Sequence, residues 1–169
     1  ILILSKLDEK QYSLTEKVDL KTLIENLLPI FNIKLKNKNL NLDFHYEENL
    51  PKISGDSFKL EQLFINLIDN AVKYTDKGYV SVNILKKDGS VAVEIADSGI
   101  GIPRSELDNI FNRFYVVDKS RSRQTGGAGL GLSIVKNIAL AHNAKLLVKA
   151  NPGKEVNLRR YLTPKKIIE

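Results

Sequence analysis

The chain predicts an α/β fold of two layers, in which a mixed, largely antiparallel sheet packs on helices. Three patterns carry that expectation. Apolar residues recur at helical spacing in two stretches, from Leu20 to Leu35 and from Leu60 to Ala71. Two runs of strict alternation, Val80/Val82/Ile84 and Val91/Val93/Ile95, flank Asp88-Gly89, and that dipeptide between alternating runs is a strong hairpin signal. Helical segments also cluster beside strand segments, so each can bury its apolar face against the other.

The elements follow in order. Residues 1–10 have apolar positions at helical spacing and then a polar break at Asp8-Glu9-Lys10-Gln11, as at the end of a longer helix. From Asp19, a suitable N-cap, a second helical pattern comprises Leu20, Leu23, Ile24, Leu27, Leu28, Phe31 and Leu35. Pro29 within it predicts a kink or a broken end. Leu40, Leu42 and Phe44 alternate as a strand does, and Asp56 caps a helix that runs to about Tyr74 and is closed by Gly78. The hairpin comes next. Residues 112–126 are polar, basic and glycine-ended without periodicity; they read as a long loop, and loops of that length in compact domains are usually functional. A helix from about Gly129 to His142 and two strands, 145–150 and 155–162, complete the pattern. No internal repeat or low-complexity tract interrupts it.

At 169 residues the chain is one domain's worth, and such a chain buries roughly 70% of its unfolded surface, so a core needs no staples. Lys and Arg number 26 against 20 Asp and Glu, a formal net charge of +6. That excess suits an anionic ligand or an acidic partner, and is too diffuse to argue for nucleic acid. Cysteine is absent, so neither a disulfide framework nor a cysteine metal site is available. No apolar run approaches the ~20 residues of a membrane span. The chain begins at Ile1-Leu2-Ile3-Leu4 without Met, and is expected to be a piece of a longer protein.

Three segments make sense together as one nucleotide site: NLIDNAVKYT (66–75), DSGIGIP (97–103) and GGAGLGL (126–132). On the first helix, Leu60, Leu63, Phe64, Leu67, Ile68 and Ala71 form a core stripe. At 100° per residue Asn66, Asn70 and Lys73 fall together on one flank of it. An amide oxygen can ligate Mg²⁺ while an ammonium meets phosphate oxygens. Taken alone, the same residues are also ordinary for the surface of an amphipathic helix. Asp97 ends a strand, and Gly99 and Gly101 follow where the backbone must turn sharply or admit a flat ligand. A buried carboxylate there could accept the exocyclic amine of adenine; alone, it could equally cap its own turn. Gly127, Gly129 and Gly131 open a helix, whose free N–H groups and dipole favour phosphate. This is not a Rossmann fingerprint, since no short βαβ unit surrounds it, nor a Walker loop, since no Gly-Lys-Ser/Thr follows.

In order and separation these segments, with IFNRFY (110–115), resemble the N, first glycine, F and second glycine boxes of the sensor histidine kinases. The resemblance runs from residue 1 to about 162, because LSKLDEKQYSLTEKVDL looks like the end of that family's dimerisation helix and the link into its catalytic ATP-binding domain. It implies the division 1–14, end of dimerisation helix and linker; 15–162, catalytic domain; 163–169, tail. It further implies that Asn66 and Asn70 hold Mg²⁺ and phosphates, with Asn70 the metal ligand, that Lys73 contacts phosphate, and that Tyr74 packs by the nucleotide. Asp97 would read adenine, with Gly99, Ile100 and Gly101 shaping the pocket. Phe111 and Phe114 would anchor an ATP lid over 112–126, and Gly127, Gly129, Leu130 and Gly131 would surround the triphosphate. The implied partners are ATP, the parent protein's own dimerisation and phosphoacceptor domain, a response regulator, and a second copy in a homodimer. The implied location is the cytoplasmic side of a membrane-anchored bacterial sensor.

Two departures stand out. Many relatives carry Arg after the Phe-Tyr of the F box, and this chain has Val116; Arg113, Lys119, Arg121 or Arg123 would have to substitute. The family's phosphoacceptor histidine, which sits beside an acidic residue on a dimerisation helix, is also missing. Only His45 and His142 exist, and both read as structural. Two alternatives follow: an ATP-binding pseudokinase, favoured by Val116, and an ATP hydrolase of the gyrase, Hsp90 and MutL type. The hydrolases place a Glu where this chain has Asn66, and an amide cannot act as the base.

Overall fold

The structure is a computed structural model and describes residues 14–87, 90–99, 104–106, 109–112, 115, 131–149 and 159–164. In chain order the described elements are β1 (Glu16–Val18), α1 (Leu20–Leu27), a 3-10 turn (Leu28–Phe31), α2 (Asn32–Lys38), β2 (Asn41–Tyr46), β3 (Ile53–Gly55), α3 (Ser57–Lys73), β4 (Tyr79–Lys87), β5 (Ser90–Asp97), a 3-10 turn (Arg104–Glu106), α4 (Gly131–Ala141), β6 (Ala144–Lys149) and β7 (Arg159–Pro164). The principal sheet has five strands in the order β2-β4-β5-β7-β6. Only β2 and β4 pair in parallel; the other pairings are antiparallel. This is the expected mixed, largely antiparallel sheet with helices packed on it.

The helix expected from Asp19 to Leu35 forms in pieces. Asp19 does cap it, accepting the Thr22 N–H at 3.2 Å. Pro29 lacks an amide hydrogen, and the chain passes through a 3-10 turn at Leu28–Phe31 before α2 resumes. The hairpin forms as read, with Lys87 opposite Ser90. Its tip, Asp88-Gly89, lies outside the described residues, as do residues 1–10 and nearly all of the loop 112–126.

Two expectations need correction. Gly78 does not close α3, which ends at Lys73. It sits in the turn into β4 with φ +112°, where a Cβ would collide with Ser98 Oγ. A second sheet, β1 against β3 in antiparallel register, was also not legible, because three-residue strands show too little alternation to read. The last strand runs to Pro164, two residues beyond the sequence reading.

The core lies between sheet and helices. Seven residues of α3 are buried, Leu60, Leu63, Phe64, Leu67, Ile68, Ala71 and Val72, against Val80, Val82, Ile84, Val93 and Ile95 of the hairpin. Each large aliphatic side chain so buried contributes about 1.5–3 kcal/mol. Phe64 is fully buried, and truncating it to Ala should cost about 3–5 kcal/mol. The consequence is that α3 is a fixed rail, with one half-buried flank, Asn66 and Asn70, outside this core.

Candidate functional site

Asn66 and Asn70 lie on that flank, both half-buried. Asn66 donates its Nδ2 hydrogen to the Gln62 carbonyl at 2.7 Å, which leaves its Oδ1 turned away from its own helix. That oxygen faces the start of α4. A Cβ on Gly131 would lie 3.0 Å from Asn66 Oδ1 and 3.7 Å from Asn70 Nδ2. The glycine lets the first turn of α4 lie against the two amides; a methyl there would ask Asn66 Oδ1 to give by a few tenths of an ångström and would make ordinary contact with Asn70. The first N–H groups of any α-helix lack intrahelical partners. The niche thus joins a helix N-terminus, which suits phosphate, to an amide oxygen, which suits a hard cation such as Mg²⁺.

The second half of the site is the end of β5. Asp97 is buried, and its Oδ1 accepts the Gly99 N–H at 2.9 Å. Gly99 is fixed by close approach: a Cβ there would strike the Tyr74 carbonyl and lie 2.8 Å from both Asp97 Oδ1 and Thr75 Oγ1. Thr75 is itself fully buried and donates its hydroxyl to the Ala71 carbonyl at 2.7 Å. The turn after β5 is therefore pressed against the C-terminal end of α3. The amides and the start of α4 thus lie along the C-terminal half of α3, and the carboxylate turn at its C-terminal end.

Lys73 lies half-buried along a groove between α2 and α3 that Lys34, Asn37, Lys38, Asp69 and Val72 also line. Lys34 pairs with Asp69. Among the described residues the Lys73 ammonium meets no hydrogen-bond or ion-pair partner. Tyr74 is the C-cap of α3, half-buried, with its N–H donated to the Asn70 carbonyl. Of the F box, Ile110 is buried and Phe111 borders a hollow against Ala139 and Leu140 of α4. Ile100, Gly101, Phe114, Gly127, Gly129 and Leu130 lie outside the described residues, as do Arg113, Val116, Lys119, Arg121 and Arg123.

Both histidines are placed. His45 is exposed on β2 opposite Asn83. His142 is buried, and its Nε2 accepts the Asp56 backbone N–H at 3.0 Å while Nδ1 lies 2.8 Å from the Ile138 carbonyl. A backbone N–H can only donate, so Nε2 is the acceptor and Nδ1 carries the hydrogen. With both nitrogens engaged, His142 is a structural residue.

Sequence reasoning missed Thr75 and Lys38. Thr75 carried a local signal, a hydroxyl four residues after Ala71 at a helix end; Lys38 carried none, being 34 to 37 residues from the carbonyls it meets.

Residues 55–164 match the family of histidine kinase-, DNA gyrase B- and HSP90-like ATPases. The chain belongs to that family. It is 41% identical over 103 residues to the sensor-like histidine kinase SenX3 of Mycolicibacterium smegmatis, covering 60% of this chain and 27% of that protein. It is 34% identical over 163 residues to the sensor protein kinase WalK of Staphylococcus haemolyticus, covering 94% of this chain and 26% of the relative. Among solved structures, full-length ShkA in complex with AMPPNP superposes with a TM-score of 0.80 at 26% identity, over 97% of this chain and 35% of that one. The chain thus spans about a quarter of the length of these curated relatives.

Proposed function

We propose that this chain is the ATP-binding catalytic domain of a sensor histidine kinase. It transfers the γ-phosphoryl group of ATP to a histidine on the dimerisation domain of its parent protein, for relay to a response regulator. The observation that carries this reading is the arrangement along the C-terminal half of α3: Asn66 and Asn70 against Gly131, and the Asp97 turn against Tyr74 and Thr75.

In this reading Asp97 accepts the exocyclic amine of adenine and Gly99 and Gly101 leave room for the base, with Ile100 beside them. Tyr74 and Phe114 pack by the nucleotide. Gly127, Gly129, Leu130 and Gly131 surround the triphosphate, and Lys73 neutralises phosphate charge. Asn70, with Asn66, holds Mg²⁺; the Asn66 oxygen turned toward Gly131 is the kind of donor a hard cation takes. When bound, Mg²⁺ supplies charge neutralisation on the transferring group. The chain's own residues align that group and exclude water, so catalysis is positioning more than covalent chemistry. The acceptor imidazole lies outside this chain, on the partner half of a homodimer or on the same subunit. The parent is a membrane-anchored bacterial sensor with this domain in the cytoplasm.

The hydrolase alternative is disfavoured by Asn66, whose amide is donated to Gln62 where a water-activating carboxylate would be needed. The pseudokinase alternative rests on Val116. Two measurements separate these readings. Calorimetric titration with a non-hydrolysable ATP analogue and Mg²⁺ should show binding that Asn70→Ala and Asp97→Ala each weaken by roughly tenfold or more. Radiolabel from ATP should then appear on a supplied dimerisation domain, whereas tight binding without transfer would favour the pseudokinase. Absence of binding in the parent chain would remove the nucleotide reading altogether.

A further inference from the structure

A helix ends with four carbonyls that have no intrahelical partner. In α3 every one of them is accounted for. The Asn70 carbonyl accepts from the Tyr74 N–H, and the Ala71 carbonyl from the Thr75 hydroxyl. The Val72 and Lys73 carbonyls both accept from Lys38 Nζ, at 2.9 and 2.8 Å. The same ammonium donates to the Thr75 carbonyl at 3.1 Å, one residue past the cap. An ammonium has three hydrogens, and three carbonyls receive them. Asp76 Oδ1 stands 3.7 Å away, and a cation at a helix C-terminus is further favoured by the dipole.

Lys38 reaches this position because it is the last residue of α2, where Asn39 turns left-handed at φ 53° and carries the chain off into β2. Four residues earlier on that helix, Lys34 makes a solvent-exposed pair with Asp69. The two lysines have different tasks. Lys34 staples two surfaces, whereas Lys38 holds the backbone of residues 72 to 75, the segment against which Gly99 and the Asp97 turn are packed.

We infer that Lys38 is a positioning residue of the nucleotide site: it fixes the C-terminal turn of α3, and through Tyr74 and Thr75 it sets the place of the Asp97 turn. The inference rests on the reading of that end as the nucleotide end. Neither Lys38 nor its helix belongs to the N, F or glycine boxes. Removing the ammonium frees two helix carbonyls and the peptide after them, so the loss should fall on ligand geometry before it falls on the core.

The test uses the 169-residue chain with Lys38→Met, Lys38→Arg and Lys34→Ala. Amide hydrogen exchange without nucleotide is followed at Tyr74 and Gly99, and at Lys59 near the far end of α3; affinity for a non-hydrolysable ATP analogue with Mg²⁺ is measured by calorimetry. Lys38→Met should speed exchange at Tyr74 and Gly99 by about tenfold, leave Lys59 as in the parent, and weaken the analogue by roughly tenfold. Lys38→Arg, which keeps a cation with several donors, should recover affinity to within about threefold, and Lys34→Ala should match the parent. Should Lys38→Met fail to fold, Lys38→Gln, which keeps a shorter neutral donor, should show the same pattern in smaller degree.

Parent-like affinity in Lys38→Met would overturn the inference. So would faster exchange spread evenly over both ends of α3 with no recovery by Arg, since that would make Lys38 a residue of general stability. If the parent itself does not bind the analogue, the nucleotide reading falls, and the exchange rates alone decide whether Lys38 holds the turn.

Discussion

The two ends of α3 are held by opposite means. At the N-terminal end Asp56 accepts the Lys59 N–H at 3.1 Å, and its own N–H is taken by the buried, neutral His142. The joint is close-packed: a Cβ on Gly55 would lie 2.8 Å from Leu60 Cδ1 and 3.1 Å from His142 Cδ2. At the C-terminal end the carbonyls are gathered by a cation at the solvent edge, Lys38, whose side chain is 29% exposed. Gly99 there lets the turn after β5 press on the helix end, and Gly131 lets α4 approach the same helix further back, at Asn66 and Asn70. One end is closed by core packing against Leu60 and His142, and the other is braced by a cation at the solvent edge. Stability and ligand affinity should therefore separate along a single helix.

The largest expected break in that separation is Gly99→Ala. The added methyl would meet the Tyr74 carbonyl and Thr75 Oγ1, forcing the Asp97 turn away, and misplacement near 1 Å costs on the order of 10²-fold. Phosphoryl transfer from ATP to a supplied dimerisation domain should fall by about that factor, with a smaller loss of affinity in calorimetry. Next comes His142→Ala at the closed end. It leaves the Asp56 N–H without its acceptor, while the Ile138 carbonyl keeps the backbone N–H of residue 142; this should cost about 2 kcal/mol and lower the melting temperature by roughly 6 °C. Well below that temperature its nucleotide affinity should stay within about threefold of the parent; a larger loss would mean that the ends are not separable. Asp56→Ala removes a side-chain cap and should lower stability by about 1 kcal/mol in denaturant titration, without change in affinity. Smallest is Lys34→Ala, where loss of an exposed pair with Asp69 should change stability by less than about 0.5 kcal/mol.

What was legible in the sequence tracks the range of the interactions. The Asp19 and Asp56 caps, the stripe from Leu60 to Ala71 and the hairpin all depend on neighbours within a few residues, and the structure forms each of them. The grouping of Asn66 and Asn70 on one flank followed from helix geometry alone. Their apposition to Gly131 could be named only through the resemblance, because the register of α4 against α3 is set by core packing. Gly78 was read as a helix end because positive φ is common there; the structure uses that conformation in the turn beside Ser98 instead. Lys38 and His142 hold α3 across separations of 34 to 37 and 86 residues, and no local pattern marks either. The braces of the helix were hidden, while the amide-bearing residues between them were in view.

The central claim is that nucleotide binds at the braced end of α3. The most direct measurement is amide hydrogen exchange of the whole chain with and without a non-hydrolysable ATP analogue and Mg²⁺. The account predicts added protection at Tyr74, Gly99 and the first residues of α4, with Lys59 and His142 unchanged. Protection centred on Lys59 and His142, or none anywhere at saturating analogue, would contradict it.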